Sequence, residues 1–198
     1  MKVSNLYIYT TKSIGSIFLN KNKSETRGLP YLYIALLLFL VQCYPTPKLA
    51  GQFTEAAFDE MATLMAKGTV KDIEVETLVQ EKEAYLLLDT RTKKEYEISH
   101  IPNAIWVGYD NFSLNNLPQG ISKDTKILTY CSVGYRSERI GEKLQEAGYQ
   151  DVSNLKGSVF KWINEGHPLE DMLGSPTDKV HGFDKEWGKW VRGGKAVY

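Results

Sequence analysis

From Val70 onward, short apolar runs alternate with stretches of helical period. Val70-Lys71-Asp72-Ile73 predicts a short edge strand, and Val75 to Glu81 a helix. Tyr85-Leu86-Leu87-Leu88-Asp89 is apolar on both faces, the mark of a strand in the middle of a parallel sheet. Ala104 to Val107 predicts another strand, and Lys126-Ile127-Leu128-Thr129-Tyr130 a second buried one that ends on Cys131. In Ser137 to Ala147 the apolar positions Ile140, Leu144 and Ala147 fall at spacings of four and three, with Gly148 placed to stop the helix. Val152 to Leu155 returns to the sheet. Strands alternating with helices in this way predict an α/β domain, a mainly parallel sheet flanked by helices on both faces.

Ahead of it, Phe53, Ala57, Phe58, Met61, Leu64 and Met65 fall near helical spacing, and Gly68 follows as a stop signal. The organisation expected is therefore an N-terminal segment (1–50), a preceding helix (51–69), the domain (70–170) and a C-terminal extension (171–198). The extension carries Trp187, Trp190, Val191 and Tyr198 among charges. Its main expectation is packing back on the domain; an aromatic surface for a partner or for headgroups is the alternative.

Hydropathy also singles out residues 31–43, 13 positions without a charge, preceded by Lys2, Lys12, Lys21, Lys23 and Arg27 against Glu25 alone. A basic region followed by an apolar run of about 7–15 residues is the order of a secretory signal. A full bilayer span takes ~17–25 apolar residues, so a permanent anchor needs flanking residues as well. The ending Leu40-Val41-Gln42-Cys43 resembles a bacterial lipoprotein box, with Gln42 where a small residue is preferred. Lipidation at Cys43, an uncleaved anchor and a released protein stay open as fates. All three export the domain to the bacterial cell envelope, and membrane anchoring is preferred over a free periplasmic form.

Composition narrows the function classes. The 24 basic and 24 acidic residues balance, and no run of five basic residues occurs, so a nucleic-acid partner is not expected. With 42% hydrophobic residues the chain has ample surface for one core. Cys43 and Cys131 lie too far apart in the chain, and in surroundings too different, for a disulfide framework or a zinc cluster, and three scattered histidines make no metal site. No metal or cofactor is expected.

Candidate chemistry concentrates in Cys131-Ser132-Val133-Gly134-Tyr135-Arg136. A cysteine stands at the carboxyl end of a central strand, a loop with one glycine follows, and a helix is expected to open after the arginine; this is where open α/β sheets bind ligands. Loop N–H groups from Ser132 to Arg136 can turn inward as an anion nest, the helix N-terminus adds partial positive charge, and Arg136 a full one. Such fields favour thiolate over thiol, whose ordinary pKa is ~8.5.

These residues resemble the rhodanese-like sulfurtransferases from about Val70 to Leu169. Leu87-Leu88-Asp89-Thr90-Arg91 is similar to that family's strand-ending Asp-x-Arg. Glu95-Tyr96 and Ser99-His100-Ile101-Pro102-Asn103-Ala104 are similar to its next signature, with Ser99 and Asn103 replacing two glycines. Cys131 to Arg136 resembles its active-site loop, and Gly148-Tyr149, Val152, Leu155, Gly157 and Trp162 its closing pattern, with Ser158 where a second glycine is common. The six-residue Cys-x4-Arg loop suits one added sulfur atom, whereas phosphatases and arsenate reductases of related loop logic carry one residue more.

The resemblance implies a double displacement. Cys131 takes a sulfane sulfur from a donor such as thiosulfate as a persulfide and passes it to cyanide or a thiol, on a small molecule or a protein. The loop N–H groups and Arg136 are expected to hold the anionic donor. Asp89 and Arg91 read as structural, Arg91 pairing with Glu95 or another carboxylate beneath the loop. His100 braces a turn by hydrogen bonds. Two alternatives stand beside the enzyme: a persulfide carrier or redox relay, and a non-catalytic interaction module.

Overall fold

A computed structural model describes residues 54–198. The apolar run at 31–43, Cys43 and the export segment at 1–50 lie outside the described residues. Thr54 caps helix α1 (Glu55–Met65) by accepting the Ala57 N–H at 3.2 Å. Phe58 and Ala62 bury the inner face of α1, whereas Leu64, expected on the same stripe, is 79% exposed. The expected stripe was one residue too wide, because positions 61 and 65 lie three and seven residues on from Phe58 and carry the buried arc past Leu64.

Five short strands follow in one parallel sheet. They are β1 (Lys71–Ile73), β2 (Leu86–Asp89), β3 (Ile105–Trp106), β4 (Ile127–Tyr130) and β5 (Val152–Leu155), in spatial order β1-β5-β4-β2-β3. Helix α2 (Val75–Glu81) joins β1 to β2 with a short 3-10 turn, α3 (Lys93–Ile98) joins β2 to β3, and α4 (Tyr135–Glu146) joins β4 to β5. After β5 comes α5 (Ser158–Asn164). Every pairing within the sheet is parallel.

Alternation along the strands divides the core into two layers. Leu87, Leu128, Tyr130 and Leu155 face a layer with Phe58 of α1, Val75 and Leu78 of α2, and Val159, Phe160 and Ile163 of α5. Leu88, Ile127 and Val152 face the opposite layer with Ile140 and Leu144 of α4. Strand β4 is buried throughout because it is paired on both edges and covered on both faces, which is why its four residues lack a solvent-facing polar position.

The C-terminal extension packs back on the domain. A two-residue antiparallel pair, β6 (Leu169–Glu170) with β7 (Pro176–Thr177), leads into β8 (Lys179–His181), which lies parallel to β9 (Lys195–Val197). Val180 is fully buried in the first layer, and Trp187, Trp190 and Val191 pack on it. The Trp190 ring meets Phe58 edge-on, with centroids 5.9 Å apart. Gly193 makes the docking feasible: a Cβ there would collide with the Ile163 carbonyl oxygen. Asn164 then anchors the strap, its Oδ1 accepting the N–H groups of Arg192 and Gly193 and its Nδ2 donating to the Trp190 carbonyl.

Candidate active site

Cys131 follows β4 directly and is 1% exposed. Its loop is held by both flanking helices. From the α5 side, the N–H groups of Val159 and Phe160 donate to the carbonyls of Cys131 and Ser132, at 3.2 and 3.1 Å. Ser158 Oγ accepts the Cys131 N–H at 3.0 Å and donates to the Leu155 carbonyl. The loop carbonyls are thereby turned towards α5, which leaves the other side of the loop to present N–H groups to the sulfur. Gly134 N–H points at Cys131 Sγ, 3.2 Å away.

Gly134 is the residue that lets the loop close so tightly. At φ +115 it occupies backbone space that L side chains rarely adopt, and it serves as the N-cap of α4. The chain reverses so quickly there that Tyr135 and Arg136 already belong to the first helical turn. The expectation that the helix opens after the arginine is corrected on this point. The N–H of Ser137, in that first turn, acts on the sulfur together with that of Gly134.

Burial alone would push the Cys131 thiol up. The Arg136 guanidinium, the N–H and hydroxyl of Ser137 and the Gly134 N–H outweigh it and hold the thiol below its ordinary value. The site therefore favours thiolate in a place almost sealed from water.

Arg136 is not a free cation reaching for a ligand. Its Nη1 and Nη2 donate to Glu95 at 2.9 and 2.6 Å, a two-pronged pair, and Nη2 also donates to Ser132 Oγ at 3.0 Å. Ser132 completes the triangle by donating to Glu95 Oε1 at 3.1 Å. Burial opposes the Glu95 charge, but Arg136 and Thr92 overcome it and bring the carboxyl down to about 2. Three of the guanidinium's N–H donors thus go to Glu95 and Ser132, so any part Arg136 takes in holding an anionic donor is played by a cation already fixed in place by a carboxylate.

Glu95 is the site residue that reading of the chain missed as a partner of Arg136. A signal was present in Thr92-x-x-Glu95, a capping box that starts α3 with Thr92 Oγ1 accepting the Glu95 N–H and Glu95 accepting the Thr92 N–H. One carboxylate both caps a helix and fixes the cation beside the nucleophile.

Arg91 pairs with Asp89 rather than with Glu95. Nε and Nη2 donate to the Asp89 carboxylate, the shortest contact being 2.6 Å, and Nη2 also donates to the Ser99 carbonyl. Both side chains are fully buried. Two residues apart at a strand end, they meet locally, while Glu95 is drawn across to α4 by Arg136. His100 stacks on Tyr96 at 4.0 Å, its Nδ1 lies 3.1 Å from the Tyr96 carbonyl, and its backbone bridges Glu170. It braces the β6 edge. No group of three His, Cys, Asp or Glu side chains gathers as a metal site among the described residues. A surface depression lined by Leu114, Leu117, Gln119 and Tyr149 touches none of the residues around Cys131.

The parallel sheet and a cysteine cradled at the end of its central strand define a class, and comparison with known proteins agrees with it. Residues 73–165 match the family model for the Rhodanese-like domain, and this part of the chain is a rhodanese-like domain in the rhodanese fold. The chain is similar to an adenylyltransferase and sulfurtransferase of Candida albicans, 26% identical over 138 residues, covering 62% of this chain and 32% of that protein. It is also similar to a tRNA uridine(34) hydroxylase of Onion yellows phytoplasma, 34% identical over 90 residues, covering 42% and 28%. The chain thus spans about a third or less of the length of these curated relatives. Among solved structures, a rhodanese-related protein from Thermoplasma volcanium aligns with a TM-score of 0.44 and 27% identity, covering 50% of this chain and 96% of that one. A rhodanese-like domain protein from Staphylococcus aureus aligns with a TM-score of 0.43 and 28% identity, covering 51% and 97%.

Proposed function

We propose that the protein is a sulfurtransferase whose carrier is a Cys131 persulfide. The observation that carries this reading is the six-residue loop that holds a thiolate-favouring Sγ against the Gly134 N–H in a nearly sealed pocket. Cys131 thiolate attacks the outer sulfur of a donor such as thiosulfate; the new S–S bond forms as the donor's S–S bond breaks, and sulfite leaves with the electron pair. The persulfide then gives its outer sulfur to cyanide or to a thiolate, and Cys131 is restored as thiolate. Covalent relay of this kind splits one difficult transfer into two. The downward shift of the Cys131 thiol lessens the need for a general base.

Arg136 acts here on the field rather than as a ligand clamp. It stabilises the thiolate and the persulfide anion through space, while the N–H groups of the loop meet the added sulfur. A loop this tight around one sulfur also argues against phosphoryl transfer, which needs a wider ring of donors around a tetrahedral anion. The test is sulfite release from thiosulfate and cyanide, beside a folded Cys131→Ser control. Equal inactivity of the two proteins would remove the enzyme reading, and a stable persulfide on Cys131 without turnover would favour a protein sulfur carrier instead. The named sulfurtransferase among the similar proteins supports the chemistry.

We further propose that the domain works in the bacterial cell envelope, tethered through its N-terminal segment at a lipidated Cys43. The support is the basic-then-apolar order of residues 2–43 and the box that ends on that cysteine. Mass spectrometry of the protein isolated from cells decides it: a diacylglyceryl adduct at Cys43 is expected, and an intact chain running through Cys43 would overturn the lipid tether.

A further inference from the structure

The extension beyond residue 170 reaches Arg136 of the Cys131 loop through Phe183. Phe183 follows β8, and the Arg136 Cζ lies 5.5 Å from its ring centroid. Arg136 therefore has three neighbours: Glu95 takes both nitrogen tips, Ser132 takes one again from the loop, and the Phe183 ring lies with the guanidinium carbon over it. Aromatic rings favour that position over a cation.

Two features mark Phe183. First, it stays 51% exposed beside Arg136, as Tyr198 does at 52% elsewhere in the tail, while Trp187 and Trp190 of the same segment pack against the core. Second, its backbone sits at φ +65, a conformation rare for a bulky L-residue. The surroundings impose it: Phe183 N–H donates to His181 Nδ1 at 3.0 Å, Gly182 N–H to the Val197 carbonyl at 2.9 Å, and Asp184 N–H to the Gly182 carbonyl at 2.8 Å. An apolar ring is thus kept in a strained turn, with half its surface towards solvent, beside the cation of the reaction centre. Strain maintained at such a place points to use rather than to packing.

The charges around it narrow what the ring can receive. Glu95 balances Arg136, and Asp89 balances Arg91, so neither guanidinium offers an unpaired charge to an incoming group. We propose that Phe183 is the specificity-determining residue of the Cys131 site: its ring receives an uncharged aromatic or aliphatic group carried next to the atom that reacts at Sγ. Under the sulfur-transfer reading, on which only this last identification rests, that molecule is an acceptor thiol with an apolar substituent. Its sulfur takes the outer sulfur of the persulfide and leaves Cys131 as thiolate.

The experiment reads access to Sγ independently of sulfur transfer. The full-length chain is alkylated with N-benzyl iodoacetamide and, separately, with iodoacetate, and the rates at the Cys131 peptide are followed by mass spectrometry. Wild type is expected to favour the benzyl reagent, and Phe183→Gly, which removes the ring and relaxes the φ, to lose about two- to ten-fold of that preference. Phe183→Trp is expected to keep it. An unchanged ratio of rates in Phe183→Gly overturns the proposal. Donor-derived persulfide on Cys131 is measured in the same proteins. If the alkylation preference depends on Phe183 but no persulfide forms in wild type, the apolar subsite stands and the sulfur-transfer reading falls.

Discussion

Arg136 of α4 and Glu95 of α3 meet through two hydrogen bonds of 2.9 and 2.6 Å beside Cys131, and their pairing ties the nucleophile's electrostatics to the stability of the fold. The ion pair links two helices that follow different strands of the sheet. Because Glu95 is almost fully buried, removing its charge strands the guanidinium. Glu95→Gln is expected to cost about 3 kcal/mol in urea unfolding.

The pH dependence of stability follows from the same carboxyl. Its folded value of about 2 lies below the ordinary 4.5, so Glu95 contributes stability that is complete above about pH 5. That contribution is lost as pH falls through the folded value. The shift corresponds to roughly 3 kcal/mol. Wild type should therefore lose stability faster than Glu95→Gln between pH 5 and pH 2, and parallel curves for the two proteins would refute the assignment.

Nucleophile activation should respond to Arg136. With the guanidinium gone, burial acts on Cys131 without its main opposing charge, and Glu95 adds a nearby negative one. Arg136→Met is expected to move the pH profile of iodoacetamide alkylation at Cys131 upward and to slow the rate at pH 7 roughly ten-fold. Adding Glu95→Gln should recover part of that loss, since the uncompensated carboxylate is then absent. Arg136→Lys should recover little, because an ammonium cannot grip Glu95 with two prongs.

The Asp89–Arg91 pair predicts stability loss with little effect on the thiol. Both side chains are fully buried, and Arg91 also donates to the Ser99 carbonyl, which pins the turn before β3. Asp89→Asn is expected to destabilise by about 3–5 kcal/mol, and Asp89→Asn with Arg91→Met by less than the sum of the two single changes. Denaturant titration of the three variants checks this. Additivity would mean that the two groups do not act as a pair.

Docking of the extension should hinge on Gly193. An alanine there meets the Ile163 carbonyl oxygen, backbone that cannot yield as a flexible side chain could. Gly193→Ala is expected to cost about 2 kcal/mol and to loosen the Trp190 contact with Phe58, seen as a red shift in tryptophan fluorescence. If Phe183 is brought to Arg136 by this strap, the same variant should weaken the reagent preference of Cys131. Unaltered fluorescence and stability would show that the strap tolerates a side chain.

Much of the architecture was legible beforehand because strand and helix periods are local properties. Leu86 to Asp89, Ile127 to Tyr130 and Val152 to Leu155 appear as strands within a residue of where their apolar runs place them. Helix α3 was not anticipated, since only six residues lie between its caps Thr92 and Ser99. The small strands of the extension escaped as well. A two- or three-residue ladder has no room for a period, and its pairing is decided by what lies opposite.

Sequence by itself determined the alternation of elements and the six-residue spacing from Cys131 to Arg136, because both depend on neighbours along the chain. Tertiary structure alone decided which carboxylate answers which guanidinium. Asp89 and Glu95 are both within reach of Arg91 in sequence, and only the folded chain hands Glu95 to Arg136. It also decided that Phe183, 47 positions beyond Arg136, lies over that cation. Charge pairing depends on distance in space and on the water excluded between the partners, and neither is encoded in the order of residues until the sheet has closed over its core.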